Sequence, residues 1–148
     1  MKSKFALAAA ATLLSAPMAF AQDAEITGDP EAGEAAFRQC AACHNIVNDE
    51  GDVLAGRPNV RTGPNLYGLP GRVAGSVEDF RYSPGFQALN EMGLEWTQEH
   101  FASYVPDPTG FIREQTGDDS LRGSMAAQRL RGDDAAADLY AYIASLSE

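Results

Sequence analysis

Two cysteines and a histidine stand close together in the run Cys40-Ala41-Ala42-Cys43-His44. At the end of a helix, positions i, i+3 and i+4 project to one side, so both thiols and the imidazole would face a common partner. That arrangement suits two thioether bonds to the vinyl groups of one porphyrin, with the imidazole directed at its iron. The spacing is the attachment pattern of a c-type haem, and it predicts one covalently bound haem c.

Three other kinds of site also use closely spaced cysteines. A thioredoxin-like redox pair requires a βαβ setting, which the sequence does not predict. Structural zinc requires a second pair of ligands, and the chain has only 2 cysteines. A simple disulfide would leave the adjacent His44 without a role. A covalently attached haem therefore explains the motif better than a haem-free CxxC module does.

His44 is predicted to be the first axial ligand of the haem iron. The second has to be one of the strong donors His, Met, Cys or Tyr, and both cysteines are already used. Met125 lies in the flexible run Gly123-Ser124-Met125, far enough along the chain to wrap to the other haem face. We therefore predict Met125 as the sixth ligand, with His100 and an open sixth position as alternatives. Met92 lies in a predicted turn and is expected to be a surface or packing residue.

The first 21 residues have the features of a secretory signal peptide. Lys2 and Lys4 form a positive start, Phe5 to Leu14 is an apolar run too short to span a bilayer, and Ala19-Phe20-Ala21 is a small-x-small cleavage site. Cleavage would leave residues 22–148 as a single domain in the periplasm, where uncommitted thiols are oxidised. The alternative is an uncleaved membrane anchor.

The chain is strongly acidic. Its 148 residues are 45% hydrophobic, as in an ordinary globular domain, but carry 11 Lys and Arg against 21 Asp and Glu. Removal of Lys2 and Lys4 with the leader would leave 9 arginines against 21 acids, so the net charge would fall from −10 to −12. Nucleic-acid binding is not expected, because phosphate contacts need a basic face. Since no lysine would remain, a high-pH form of the mature protein has to use a ligand other than lysine.

Helices separated by long loops are predicted along the rest of the chain. Asp29-Pro30 begins a helix that runs towards Cys40, and Leu94 to Val105 forms a second that ends before Pro106 and Pro108. Gly132-Asp133-Asp134 begins the last helix. Residues 45–75 and 109–124 are predicted to be loops and turns. The fold class is all-α, and loops of this length indicate that a cofactor fills the middle of the protein.

Most of the predicted mature chain resembles a class I cytochrome c, in particular the cytochrome c2 / c550 group of alphaproteobacteria. The resemblance implies few helices and long loops wrapped around one covalently attached haem, with Gly33 and Phe37 packed on Tyr142 where the terminal helices cross. The residues that carry it are Gly28-Asp29-Pro30-Glu31-Ala32-Gly33, Phe37, Thr62-Gly63-Pro64-Asn65-Leu66-Tyr67-Gly68, Gly71-Arg72, Trp96, Tyr104, Pro108, Met125 and Tyr142.

The resemblance also implies roles around the haem. The Pro64 carbonyl would accept the imidazole proton of His44, and Tyr104 would lie near the Met125 sulfur. Arg72, Tyr82 and Trp96 would lie near a haem propionate, and for Tyr82 ordinary core packing is an equally good account. The implied haem-binding set is Cys40, Cys43, His44, Pro64, Arg72, Tyr82, Trp96, Tyr104 and Met125.

A haem with both axial positions filled has no vacancy for oxygen or peroxide, which predicts a one-electron carrier rather than an enzyme. Proteins of this resemblance carry electrons from a cytochrome bc1 complex to a photosynthetic reaction centre, a terminal oxidase or a periplasmic reductase. A monomer with no membrane span in its mature form is expected. The alternative function is a haem enzyme or gas-binding protein with an open or labile sixth position.

The chain departs from the family pattern in its basic residues. Ser124 stands where the family often has Lys, and the usual lysine ring around the exposed haem edge is missing. Four arginines flank segments expected near that edge, and they predict a small docking collar on an acidic protein. This arginine collar consists of Arg61, Arg122, Arg129 and Arg131.

Overall fold

A computed structural model describes residues 25–147, and the predicted signal peptide, residues 1–21, lies outside them. The described residues form five helices and one two-stranded sheet, joined by long loops. In chain order these are α1 (Pro30–Phe37), β1 (Ile46–Val47), β2 (Val53–Ala55), α2 (Pro84–Glu91), α3 (Gln98–Tyr104), α4 (Pro108–Thr116) and α5 (Ala135–Ser145).

Side-chain caps define where the first four helices begin. Each cap oxygen accepts a hydrogen bond from a backbone N–H of the first turn, which would otherwise lack a partner. In α1, α2 and α4 a proline follows the cap, where its missing N–H costs nothing. The four capping residues are Asp29, Ser83, Thr97 and Asp107.

The terminal helices α1 and α5 cross at very short range. Gly33 makes this possible, since a Cβ on it would lie 2.7 Å from the Cβ of Tyr142. The Phe37 and Tyr142 rings pack beside it with centroids 5.7 Å apart. At one end of the crossing, the Asp29 N–H donates to Oδ1 of Asp138 at 2.7 Å. The crossing joins the two ends of the described chain, and α1 leads directly into the Cys40–His44 motif.

The loops between α1 and α3 contain extended pairings as well as turns. Strands β1 and β2 are antiparallel, with Ile46 opposite Ala55. Further along, the Trp96 N–H donates to the Arg72 carbonyl at 3.0 Å, and the Gly71 N–H donates to the Trp96 carbonyl at 2.9 Å. These bonds fix Arg72 and Trp96 beside each other although they are far apart in sequence.

Three sequence predictions of secondary structure are corrected by the structure. Residues 109–124 are not mostly loop, because α4 occupies the first part of that range. The second predicted helix starts at Gln98 rather than Leu94, since Thr97 caps it and Trp96 lies in the extended pairing. Residues 45–75 are not all loops and turns, because they contain the β1–β2 pair. Helix α2 was not predicted. The predicted start of the last helix is confirmed, because Asp134 is the N-cap of α5.

One apolar core joins the helices. Its most deeply buried side chains come from β1, α2, α4 and α5, so distant parts of the sequence share it. Among the described residues, no helix has the length and apolar character needed to cross a membrane. The fully buried side chains at the centre are Ile46, Leu89, Ile112, Leu139 and Ile143.

Candidate haem site

The motif Cys40–His44 continues from the end of α1 as hydrogen-bonded turns. The Cys40 N–H donates to the Phe37 carbonyl at 2.8 Å, and the His44 N–H donates to the Cys40 carbonyl at 2.9 Å. The two cysteines do not form a disulfide with each other; Cys40 is half-buried and Cys43 is exposed. Burial, together with the neighbouring Cys43, raises the pKa of the Cys40 thiol to about 11. Cys40 is therefore a neutral thiol at pH 7.

The imidazole of His44 is fixed in one orientation and one tautomer. Its Nδ1 lies 2.8 Å from the Pro64 carbonyl oxygen, which can only accept, so Nδ1 carries the proton and Nε2 keeps its lone pair. Gly63 lies directly against the ring, since a Cβ there would be 2.7 Å from Nε2. Burial lowers the pKa of His44, and the hydrogen bond to Pro64 opposes part of that effect. The ring is consequently neutral at pH 7, as a metal ligand requires.

The motif opens onto a cavity of about 410 Å³. Its volume falls within the range of about 300–1,000 Å³ that is usual for small-molecule and cofactor sites. The structure brings all nine residues of the predicted set to its wall: Cys40, Cys43, His44, Pro64, Arg72, Tyr82, Trp96, Tyr104 and Met125. Much of the remaining wall is apolar, from Leu69, Phe86, Phe101, Val105, Leu139 and Ile143.

Aromatic rings form one continuous side of this cavity. Phe86 contacts Tyr82 and Tyr104, with ring centroids 5.3 and 5.5 Å away, and Trp96 lies 5.2 Å from Tyr104. Burial raises the pKa of both tyrosines, so each keeps its hydroxyl proton at neutral pH. The wall therefore presents apolar ring surface and neutral hydroxyl groups rather than negative charge.

Arg72 brings a positive charge to the same wall. Its Nη1 donates to the Tyr67 carbonyl at 2.6 Å and its Nη2 to the Asn65 carbonyl at 3.0 Å. Burial lowers the pKa of this guanidinium, while the nearby Tyr82 acts in the opposite direction. Because both acceptors are neutral carbonyls, the guanidinium suits an acidic group placed in the cavity.

The two other ligand candidates from the sequence lie away from the cavity. His100 is on α3, where its Nδ1 lies 2.7 Å from the Glu95 carbonyl oxygen and its ring packs on Phe111. Met92 caps the end of α2 and is 56% exposed. Met125, in contrast, is half-buried and lines the cavity from the loop between α4 and α5.

Comparisons with known proteins place the chain in a family. It is 52% identical over 122 residues to the cytochrome c2 of Rhodovulum adriaticum, which covers 82% of this chain and 95% of that one. It is 42% identical to the cytochrome c-551 of Roseobacter denitrificans, over 99% of this chain and 97% of that one. The X-ray structure of cytochrome c2 from Rhodobacter sphaeroides matches with a TM-score of 0.77 and 47% identity, over 82% of this chain and 98% of that one. No family model matches the chain.

The chain belongs to the cytochrome c2 family. The predicted class I cytochrome c fold is thereby confirmed, and so is the prediction of one covalently attached haem c. Members of this family are electron carriers and not enzymes, which confirms that prediction too.

The residues of the cavity fit the haem c of a cytochrome c2. Two thiols and a neutral imidazole come from one short motif, as covalent attachment and iron ligation require. The apolar and aromatic wall suits a porphyrin face, and the Arg72 guanidinium suits a propionate. Gly63 leaves room for the imidazole ring of His44, because a larger side chain at this position would occupy the same space.

Three residues without a role predicted from the sequence also shape this haem site: Gly63, Asn65 and Phe86. Asn65 joins the loop of Pro64 to β1, because its Nδ2 donates to the Val47 carbonyl at 2.7 Å and its Oδ1 accepts the Val47 N–H at 3.0 Å. No local signal predicts that contact. The sequence does contain a signal for α2, the helix that carries Phe86. Ser83 followed by a proline is a helix start of the same kind as at α1.

Proposed function

We propose that this cytochrome c2 family member is a periplasmic one-electron carrier, with a haem c bound through Cys40 and Cys43 and ligated by His44 and Met125. When bound, the haem supplies an iron centre that alternates between ferrous and ferric states. One observation carries the proposal: two thiols, an imidazole with its Nδ1 proton on a carbonyl, and a thioether sulfur all line one cavity.

Each proposed ligand has a distinct chemical effect. The hydrogen bond from His44 to the Pro64 carbonyl keeps Nε2 as the donor atom and increases its basicity. Met125 is a soft, neutral donor that favours the ferrous state and raises the reduction potential. The apolar wall disfavours the extra positive charge of the ferric state, so it acts in the same direction. We therefore expect a fairly high reduction potential.

The polar residues of the wall have positioning roles in this proposal. Arg72, Tyr82 and Trp96 would hold a propionate, because they supply a half-buried positive charge and N–H and O–H donors along one side of the cavity. The hydroxyl of Tyr104 would donate towards the Met125 sulfur, and its raised pKa keeps that proton in place at neutral pH.

Export and partners belong to the same proposal. Residues 1–21 would be removed as a signal peptide, and residues 22–148 would act as a monomeric domain in the periplasm. A cytochrome bc1 complex would be the electron donor, and a photosynthetic reaction centre, a terminal oxidase or a periplasmic reductase the acceptor. Docking would use the arginine collar and apolar contact around the cavity mouth. The four collar residues are all exposed.

The visible spectrum of the purified haem-loaded protein tests this function. The ferrous protein should show the sharp bands of a low-spin haem c, retained by the chain after denaturation because the attachment is covalent. Carbon monoxide should leave the ferrous spectrum unchanged at neutral pH, since His44 and Met125 would already hold the iron and leave no open position. Rapid binding of carbon monoxide would contradict the proposal and favour a haem enzyme or gas-binding protein with an open sixth position.

A further inference from the structure

The segment that carries Met125, residues 121–128, is attached to α4 and to the end of α3 at three points. Arg113 Nε donates to the Leu121 carbonyl at 3.1 Å. The Gly123 N–H donates to Oγ1 of Thr109 at 3.2 Å. After the methionine, the Gln128 N–H donates to the Val105 carbonyl at 2.9 Å. Two attachments thus come from side chains of α4, and the one nearest Met125 on its N-terminal side is Thr109.

Close packing holds the segment at the same place. A Cβ on Gly85 of α2 would lie 2.8 Å from the Arg122 carbonyl oxygen, so only a glycine lets α2 approach this closely. A Cβ on Gly123 would lie 3.2 Å from the Pro108 Cβ, within the first turn of α4. Residues 122 and 123 therefore pass between two helices, and the Thr109 hydroxyl lies where they do so.

The residues around the methionine itself are held less firmly. Within residues 25–147, no backbone N–H of residues 124–127 donates a hydrogen bond to the protein. Those four residues bridge the fixed points at Gly123 and Gln128. The position of the Met125 sulfur over the cavity consequently depends on how well the two ends of this bridge are fixed.

We propose that Thr109 is a positioning residue for Met125, acting through its hydrogen bond with the Gly123 N–H. The inference rests on the proposed function, in which Met125 is an iron ligand. With the hydroxyl in place, the bridge starts from a fixed point and conformations with the methionine withdrawn are rarely populated. Loss of the hydroxyl leaves the Gly123 N–H without its acceptor, which raises the population of those conformations.

Imidazole binding to the ferric, haem-loaded protein measures that population. Imidazole competes for the position of Met125, so its apparent affinity is its intrinsic affinity multiplied by the fraction of molecules with the methionine withdrawn. Removing one hydrogen bond should raise that fraction about two- to tenfold. We expect Thr109→Val to raise the apparent imidazole affinity by this factor, and Thr109→Ser, which keeps the hydroxyl, to restore the wild-type affinity.

Ser147→Ala is the matched control. The Ser147 hydroxyl also accepts the N–H of a glycine, Gly68, at 2.8 Å. Gly68 lies in the loop that contains Pro64, on the His44 side of the cavity, which we call its imidazole side. A general loss of stability would therefore raise imidazole affinity in both variants. A role specific to Met125 raises it in Thr109→Val alone.

The possible outcomes separate this inference from the proposed function. Equal affinities in the wild type and Thr109→Val, or equal increases in Thr109→Val and Ser147→Ala, would overturn the role of Thr109 while leaving Met125 as a ligand. A wild-type ferric spectrum without the weak band of iron–sulfur ligation would overturn both. A selective increase reversed by Thr109→Ser would support both.

Discussion

The imidazole side of the cavity and its methionine side are built differently. On the imidazole side, the Gly63 N–H donates to the Cys43 carbonyl at 2.7 Å and the Leu66 N–H to the Asn45 carbonyl at 3.0 Å, so the loop of Pro64 is bonded directly to the motif. On the methionine side, residues 124–127 form a bridge between Gly123 and Gln128. The difference indicates that His44 is fixed by its own surroundings, whereas Met125 depends on helices that lie elsewhere in the sequence.

This contrast suits a carrier with a tethered cofactor. The proposed ligand His44 is oriented by the same short stretch of chain that carries the two proposed attachment points, Cys40 and Cys43. The proposed second ligand, Met125, lies in the loop between α4 and α5, so its displacement would leave the proposed covalent attachment intact. Changes on the imidazole side should therefore affect assembly and stability, while changes on the methionine side should affect ligand exchange.

Glycine substitutions should give the largest difference between the two sides. In Gly63→Ala the new methyl group would lie 2.7 Å from Nε2 of His44, whose ring is already held by Pro64. We expect the free energy of unfolding to fall by about 3 kcal/mol or more. In Gly123→Ala the nearest atoms are 3.2 and 3.3 Å away, and we expect about 1 kcal/mol.

Thermal unfolding of the haem-loaded proteins measures the loss of stability in each variant. The covalent haem content per chain is measured alongside. The loss of covalent haem should be confined to Gly63→Ala. Equal costs in the two variants would mean that the imidazole side is no more rigid than the methionine side.

Tyr140 should make an intermediate contribution to the free energy of unfolding, because it connects the imidazole-side loop to α5. Its hydroxyl donates to the Trp96 carbonyl at 2.8 Å, and that oxygen also accepts the Gly71 N–H. Tyr140→Phe should cost about 1 kcal/mol at pH 7, the net value of one hydrogen bond. Urea unfolding of both proteins measures the difference.

The contribution of Tyr140 should also depend on pH. Burial raises the pKa of its hydroxyl above the ordinary value of 10.0. The folded state therefore keeps the proton where the unfolded state loses it, so the contribution is complete below pH 10.0 and is lost as the pH rises through the folded-state pKa. A stability difference between wild type and Tyr140→Phe that is the same at pH 7 and well above pH 10.0 would rule out the hydroxyl as its source.

The arginine collar should show the smallest effect and also an asymmetry between the sides. Arg61 precedes the imidazole-side loop, whereas Arg122, Arg129 and Arg131 flank Met125. We expect Arg129→Gln with Arg131→Gln to slow oxidation of the ferrous protein by ferricyanide about twofold at low salt, because local positive charge attracts this anion. Arg57→Gln, an exposed position outside the collar, is the control. High salt should abolish the difference. If Arg57→Gln slowed the oxidation equally, the effect would come from the overall charge of the protein and not from the position of the collar.

Short-range signals explain which parts of the fold the sequence predicts correctly. Asp29-Pro30 marks a helix start because its cap and first turn are adjacent in sequence, and Asp134 stands at the N-cap position of α5 without a side-chain cap bond. Helix α4 is not predicted, because the sequence signal at Pro108 is interpreted as the end of the preceding helix. Pro108 is in fact the first residue of α4. The same residue type serves both purposes, and only packing of Phe111 and Ile112 into the core decides between them.

The site divides in a similar way. Spacing alone predicts Cys40, Cys43 and His44, elimination among a few possible donors predicts Met125, and all four line one cavity. The supporting contacts are not found, since Thr109 with Gly123 and Asn65 with Val47 join residues whose proximity only the folded chain creates. Sequence patterns predict the groups proposed to do chemistry here, whereas the groups that hold them in place become visible only in the structure.

Proton NMR of the ferrous, haem-loaded protein tests the central claim most directly, because the porphyrin ring current strongly shifts the methyl group of an axial methionine upfield. We expect one such three-proton resonance in the wild type and in Met92→Leu, and none in Met125→Leu. A wild-type spectrum without it, or a resonance that survives in Met125→Leu, would contradict ligation by Met125.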